Sequence, residues 1–285
     1  MSNALIQSRD SFSEAHPEER VLINGREWGV VEIPGDGPAL LLIPGTLGRA
    51  DIFWLQMQAL AGRARILAVS YPTSGGVAEW ADDLVSLLDM RGIGRTTLLG
   101  SSLGGYLAQY FAAVHPERLD KVIAANTLYD TAPAKQNPPY TSDLDVGPIE
   151  ELRAGFGRGL SAWGESHPDQ RDMVELLLGE VGGRIPEPEL RNRLKGIKNA
   201  PPLPQVKVSR DAIVTIEASD DPLIPQFMRD EVRGALKPGI AYRFEGGGHF
   251  PYAVRADLYT AILEEALGLV PAGSTAWGDG PERVR

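Results

Sequence analysis

Short, unbroken apolar runs alternate along this chain with stretches whose apolar residues recur at helical spacing, and this alternation narrows the possible folds more than any other feature. Residues 40–43, 65–70, 96–99, 121–125, 213–218 and 240–244 are the runs. A strand that is apolar on both faces has to be covered on both, which implies a mostly parallel sheet between two layers of helices. Between the runs, residues 52–60 place Phe53, Met57 and Leu60 on one helical face, and residues 77–90 do the same with Trp80, Leu84, Leu87 and Leu88. Residues 21–33 read as two short strands turning about Asn24-Gly25. A chain of 285 residues with 43% hydrophobic content suits one large core. In such sheets the chemistry collects at the carboxyl ends of the strands.

One strand-to-helix junction stands out there: Gly100-Ser101-Ser102-Leu103-Gly104, between the β-prone residues 96–99 and a stretch with Tyr106, Leu107, Tyr110 and Phe111 at helical spacing. A serine on a sharp turn lifts its Oγ clear of the sheet, and glycines two residues to either side keep side chains out of the adjoining strand and helix. The Leu103 amide, at the helix start, would face a developing oxyanion with the positive end of the helix dipole behind it. Glycine-rich chains make G-x-S-x-G by chance, so the pattern needs partners elsewhere in the sequence.

A serine nucleophile needs a base, and the chain offers four histidines and no cysteine. His16 lies in a polar N-terminal segment. His115 ends the helix after the serine, where helix-terminal carbonyls account for it. His167 precedes a proline in a polar turn. His249 follows the glycine loop Glu245-Gly246-Gly247-Gly248 after the run 240–244 and precedes Phe250-Pro251 and the last helix, so it can swing over the sheet edge. His249 is the expected base. The acid that orients it belongs at another strand end. Asp221, after the run 213–218, is first choice; Asp130, after the run 121–125, is second; Asp220, which could cap the next helix, is third.

These three motifs, in the order serine, acid, histidine, resemble those of the α/β-hydrolase superfamily, and the resemblance spans about residues 20–268. It implies an α/β-hydrolase fold, with a mostly parallel central sheet, helices on both faces and an inserted helical lid. Residues 45–53, Tyr71-Pro72, 101–109 and 247–252 look most like the maspardin branch. That branch is often regarded as binding or adaptor proteins, and its histidine position need not hold a histidine. This chain keeps His249, which favours an enzyme. Many relatives carry His-Gly after the third strand, whereas this chain has Pro44-Gly45-Thr46-Leu47-Gly48. The donor required there is a backbone N–H, so the lost histidine need not matter. Thr46 is the expected second oxyanion donor, with Leu47 as the alternative.

Residues 131–205 break the alternation. Prolines open and close the segment, and Leu152, Phe156, Leu160 and Trp163 form a helical stripe within it. The expected layout is a hydrolase core of residues 1–130 and 206–270, a lid of 131–205 and a flexible tail of 271–285 rich in glycine, proline and charge. Leu47, Trp163 and Phe250 are candidate substrate-lining residues. The net charge of −10 opposes nucleic-acid binding. No apolar stretch reaches transmembrane length, and the cysteine-free composition suits a reducing compartment, so a cytoplasmic location is expected. Neither an H-E-x-x-H metal motif nor a phosphate-binding loop occurs, so no metal or organic cofactor is expected. The expected activity is two-step cleavage of a carboxylic ester of a small or medium-sized organic compound by Ser102, His249 and Asp221. A carbon–carbon bond hydrolase acting on a ketone or another serine-triad activity, and a non-catalytic maspardin-like binding or adaptor protein, are the alternatives. Oligomeric state is not legible.

Overall fold

The computed structural model describes residues 3–285. Nine strands form one sheet: β1 (Glu19–Ile23), β2 (Arg26–Ile33), β3 (Ala39–Ile43), β4 (Arg65–Ser70), β5 (Thr96–Ser101), β6 (Leu119–Ala125), β7 (Ile213–Ala218), β8 (Ile240–Phe244) and β9 (Glu282–Val284). Their order across the sheet is β1-β2-β4-β3-β5-β6-β7-β8-β9. The hairpin β1–β2 and the pair β2–β4 are antiparallel; every other pairing is parallel. Asn24 and Gly25 both adopt positive φ, 49° and 82°, the backbone that a tight two-residue hairpin turn requires.

The helices are α1 (Ala4–Ala15), α2 (Trp54–Leu60), α3 (Val77–Met90), α4 (Leu103–Val114), α5 (Ala132–Lys135), α6 (Ile149–Ser166), α7 (Arg171–Gly179), α8 (Glu187–Lys198), α9 (Gln226–Leu236), α10 (Pro251–Val254) and α11 (Ala256–Ala266). Two apolar cores lie on opposite faces of the sheet. Successive side chains of β3 feed them in turn: Leu40 and Leu42 join α2, α7 and α11 on one face, and Leu41 and Ile43 join α3, α4 and α9 on the other. Each such burial is worth roughly 1.5–3 kcal/mol, so strand and helix register are held from both sides. No described helix is long and apolar enough to cross a membrane.

Both terminal regions are ordered, the second against expectation. The polar N-terminal arm forms α1, which buries Arg9 and Phe12. The flexible tail expected at 271–285 instead supplies β9, which extends the sheet beside β8. One tryptophan and one arginine explain the change. Trp277 is buried edge-on to Tyr242 and Phe244, and Arg283 donates to Glu265 (2.6 Å) and to the Tyr242 hydroxyl (3.0 Å). The edge of β8 would otherwise stand open, and β9 satisfies it.

Between β6 and β7 the chain leaves the sheet for an excursion containing α5 to α8 and returns at Ile213. This excursion stands over the ends of the strands that carry the candidate residues.

Candidate active site

Ser102 joins β5 to α4 at φ 55°, ψ −117°. A non-glycine residue in such a conformation costs on the order of 1–3 kcal/mol and persists only where its surroundings dictate it. Here they do: its N–H donates to Ala125 O (2.9 Å), and its carbonyl accepts from Thr127 Oγ1 (2.7 Å) and from Tyr106 N (3.0 Å). The flanking glycines are required by close approach. A Cβ on Gly100 would strike the Gly104 carbonyl, and one on Gly104 would strike the Ile43 carbonyl. Side chains at either position would force α4 away from the sheet.

His249 and Asp221 meet across the next strand ends. The His249 Nδ1 position lies 2.8 Å and 3.0 Å from the two Asp221 carboxylate oxygens, with both side chains buried. Asp221 also accepts from the Leu223 amide (2.9 Å), the Ile224 amide (3.1 Å) and Asn126 Nδ2 (2.9 Å). Burial by itself would raise this carboxyl, but the charge and hydrogen bond of His249, with Asn126 and the Leu223 amide, outweigh it and hold the group below the usual carboxylate range. Asp220 does something different: its oxygens accept from the Gly247 amide (3.2 Å) and the Gly248 amide (3.0 Å), fixing the loop that carries His249. Asp130 is exposed and accepts from the Ala132 amide, away from His249. The other three histidines all terminate helices, His16 after α1, His115 after α4 and His167 after α6. No hydrogen bond among the described residues joins Ser102 Oγ to His249, and such contacts commonly tighten only when substrate arrives.

The loop after β3 presses on the serine. A Cβ on Gly45 would lie 3.0 Å from Ser102 Cβ, and the Gly48 amide donates to Gly45 O (3.1 Å), closing a turn with Thr46 and Leu47 in its middle. The amides of Thr46 and Leu47 make no hydrogen bond among the described residues. The Leu103 amide opens α4, where helix N–H groups have no acceptor within the helix. The Leu103 side chain is buried in the core, so only its backbone is offered to the site.

Ser102, His249, Thr46 and Leu47 border one cavity of about 1350 Å³. Leu152, Phe156, Leu160 and Trp163 of α6 all line it, so the stripe seen in the sequence faces the site, and Phe250 lines it as well. Trp163 reaches over the histidine loop: a Cβ on Gly248 would lie 2.8 Å from its ring. Its Nε1 donates to Gln170 Oε1 (3.0 Å), and its indole stacks on His167 at 3.5 Å. Among the described residues no cluster of three or more His, Asp or Glu is placed to hold a metal ion.

A family model described as alpha/beta hydrolase fold matches residues 38–256, most of the chain. The chain belongs to the alpha/beta hydrolase fold family. It is similar to maspardin of Danio rerio, 25% identical over 263 residues that cover 88% of this chain and 83% of that one. Among solved structures it superposes on the enol-lactonase from Burkholderia xenovorans LB400 with a TM-score of 0.71 at 17% identity, covering 88% and 100% of the two chains. A thermophilic esterase from Thermogutta terrifontis gives 0.72 at 18% identity, covering 88% and 98%. At these identities the structural likeness speaks for the fold.

Three residues of this alpha/beta hydrolase were not singled out from the sequence for the places they hold. Asn126, at positive φ after β6, bridges Asp221 (2.9 Å) and the Gly248 carbonyl (3.4 Å). Asp220, the third candidate for the acid and a possible helix cap, instead anchors the histidine loop. Arg193 of α8 sits behind the Thr46 loop, with its Nη1 on the Thr46 and Gly48 carbonyls. An Asn at a strand end with a carboxylate expected on the next strand was the one available signal; for Arg193 the sequence held none.

Proposed function

We propose that this alpha/beta hydrolase is a serine hydrolase that cleaves a carboxylic ester through an acyl-enzyme, with Ser102 as nucleophile, His249 as base and Asp221 as its orienting acid. The buried His249–Asp221 hydrogen bond beside a serine at positive φ is the observation that carries the reading. With Nδ1 bonded to the carboxylate, Nε2 is the nitrogen left to take the Ser102 proton as Oγ attacks the ester carbonyl. The oxyanion that forms is held by the Leu103 amide and the Thr46 amide, with Leu47 as the alternative donor. His249 then returns the proton to the departing alkoxide, and a water activated in the same way releases the acid.

The excursion over the strand ends acts in this reading as a lid. The lining supports a bulky, uncharged substrate. Apolar side chains of α6 and α7 line it together with Phe250, Tyr252, Ile224, Met228 and Tyr140. Apart from His249, the carboxylate and guanidinium side chains lining the cavity are those of Glu150, Glu151 and Arg158, all exposed on α6. Ester cleavage fits the esterase and lactonase named among the structural neighbours. A binding role has one observation in its favour, the likeness to maspardin over most of the chain.

Treatment with a fluorophosphonate, read by intact mass, separates these. Covalent labelling of the wild type that is lost in Ser102→Ala and in His249→Ala supports the enzyme; folded wild-type protein that stays unlabelled favours the binding role. A panel of esters and diketones then divides ester from carbon–carbon cleavage.

A further inference from the structure

We infer that Arg193 is a positioning residue for the oxyanion loop, acting from α8 without touching substrate; the inference rests on the serine hydrolase reading. Its guanidinium is wholly buried. It does not border the cavity that Thr46 and Leu47 line. From behind the loop its Nη1 donates to Thr46 O (3.0 Å) and to Gly48 O (2.6 Å), while Nη2 donates to Glu189 Oε2 (3.1 Å). The guanidinium lies over the Tyr71 ring, 5.3 Å from its centre, and the Tyr71 hydroxyl donates to Pro44 O (2.8 Å). The carbonyls of Pro44, Gly45, Thr46 and Gly48 therefore all have partners, the Gly45 oxygen through the Gly48 amide.

A peptide unit is planar, so fixing a carbonyl fixes the N–H on its opposite side. The Gly45 carbonyl sets the Thr46 amide, and the Thr46 carbonyl sets the Leu47 amide. Both candidate oxyanion donors thus belong to immobilised peptide planes. The alternative is a flipped peptide that turns a carbonyl oxygen toward the serine, where it would repel the negative charge it should help to stabilise. A loop of Pro-Gly-Thr-Leu-Gly has ample freedom to flip, and a fixed cation behind it removes that freedom. Lysine is a poorer substitute, because its single ammonium lacks the fork that reaches two carbonyls and a carboxylate together.

The test compares wild type, Arg193→Lys, Arg193→Met and Arg184→Met. Glu189 keeps Arg20 (3.2 Å) and Arg49 (3.8 Å) when Arg193 is replaced, so no buried charge is left alone and the variants can fold. Arg184→Met breaks ion pairs to Asp51 and Glu180 in the same excursion but touches no carbonyl of the loop. Each protein is assayed on p-nitrophenyl acetate and by amide hydrogen exchange over residues 45–48. Arg193→Met should lower kcat roughly 10- to 100-fold with KM changed by less than about threefold, because a misplaced donor is felt in the transition state. Arg193→Lys should fall between, and exchange over 45–48 should accelerate in Arg193→Met while remaining at the wild-type rate in Arg184→Met. Unchanged exchange in Arg193→Met overturns the clamp itself. Faster exchange with unchanged kcat, or an equal loss of kcat in Arg184→Met, overturns its catalytic meaning. A wild type that neither turns over ester nor takes the fluorophosphonate brings down the hydrolase reading and the catalytic role with it, a failure seen before any variant is made and distinct from the exchange result.

Discussion

The excursion between β6 and β7 has two parts held by different forces. Its first long helix, α6, buries only Leu152 and leans on the cavity through Phe156, Leu160 and Trp163. The stretch from Glu180 to Lys198 buries Val181, Ile185, Leu190, Leu194 and Ile197 and is in addition bolted down by charge: Glu180 meets Arg9 of α1 and Arg184, Arg184 meets Asp51, and Arg193 meets Glu189, with Glu180, Glu189 and Arg193 all buried. Dispersion contacts are soft and exchangeable, whereas a buried ion pair tolerates little displacement before a charge is stranded. The part that would meet substrate is free to adjust, and the part behind the serine's loop is not.

The largest effect expected from this contrast comes from Glu180→Ala. It removes the buried carboxylate that Arg9 and Arg184 share, leaving them Asp10 and Asp51 as partners, and should cost about 1.5–3 kcal/mol, the range for hydrogen bonds to charged groups. Chemical denaturation measures it, and a loss below about 1 kcal/mol, the range of exposed pairs, would erase the contrast.

Trp163→Ala probes the softer half. The ring is half-buried on Gly248, so stability should fall by only about 1–2 kcal/mol, less than a full core truncation. Its kinetic signature should be larger: KM for bulky esters rises about 5- to 150-fold while turnover of acetate esters stays near wild type, since about 1–3 kcal/mol of apolar contact is at stake. Equal losses for bulky and small esters would show that α6 supports the histidine loop rather than the substrate.

The smallest effect concerns pH. The apolar contacts of α6 carry no protons, whereas Asp221 is held below its ordinary range by His249, Asn126 and the Leu223 amide despite its burial. A carboxyl with a lowered folded pKa stabilises the fold above its unfolded value, about 3.9, and that stability disappears as pH falls through the folded value. Thermal unfolding of the wild type should therefore lose stability with a steeper slope below about pH 4 than that of Asp221→Asn. Identical slopes would remove Asp221 from the acid-sensitive groups.

The elements legible in the sequence are those whose identity is local. Ser102 announces itself through glycines two residues away, β3 through an apolar run, and the β1–β2 turn through Asn24-Gly25. His249 needed elimination among four histidines, but its glycine loop was still local. What escaped depends on approach over distance: Asn126 finds Asp221 across 95 positions, and Arg193 finds Thr46 across 147. The C-terminal segment misled for a related reason. Its glycines and prolines describe the average of the segment, while Trp277 and Arg283 alone decide where it docks.

Asp220 and Asp221 are sequence neighbours with separate duties, one gripping the backbone before His249 and the other its ring. Because both sit in a tight turn closed by the Asp221 amide on the Ala218 carbonyl (3.3 Å), inserting or deleting a single residue ahead of them would carry each side chain off its partner and take both grips away at once. Length at this turn is consequently far less negotiable than composition, and diversification of the protein by loop grafting should leave the spacing from Ala218 to Pro225 untouched.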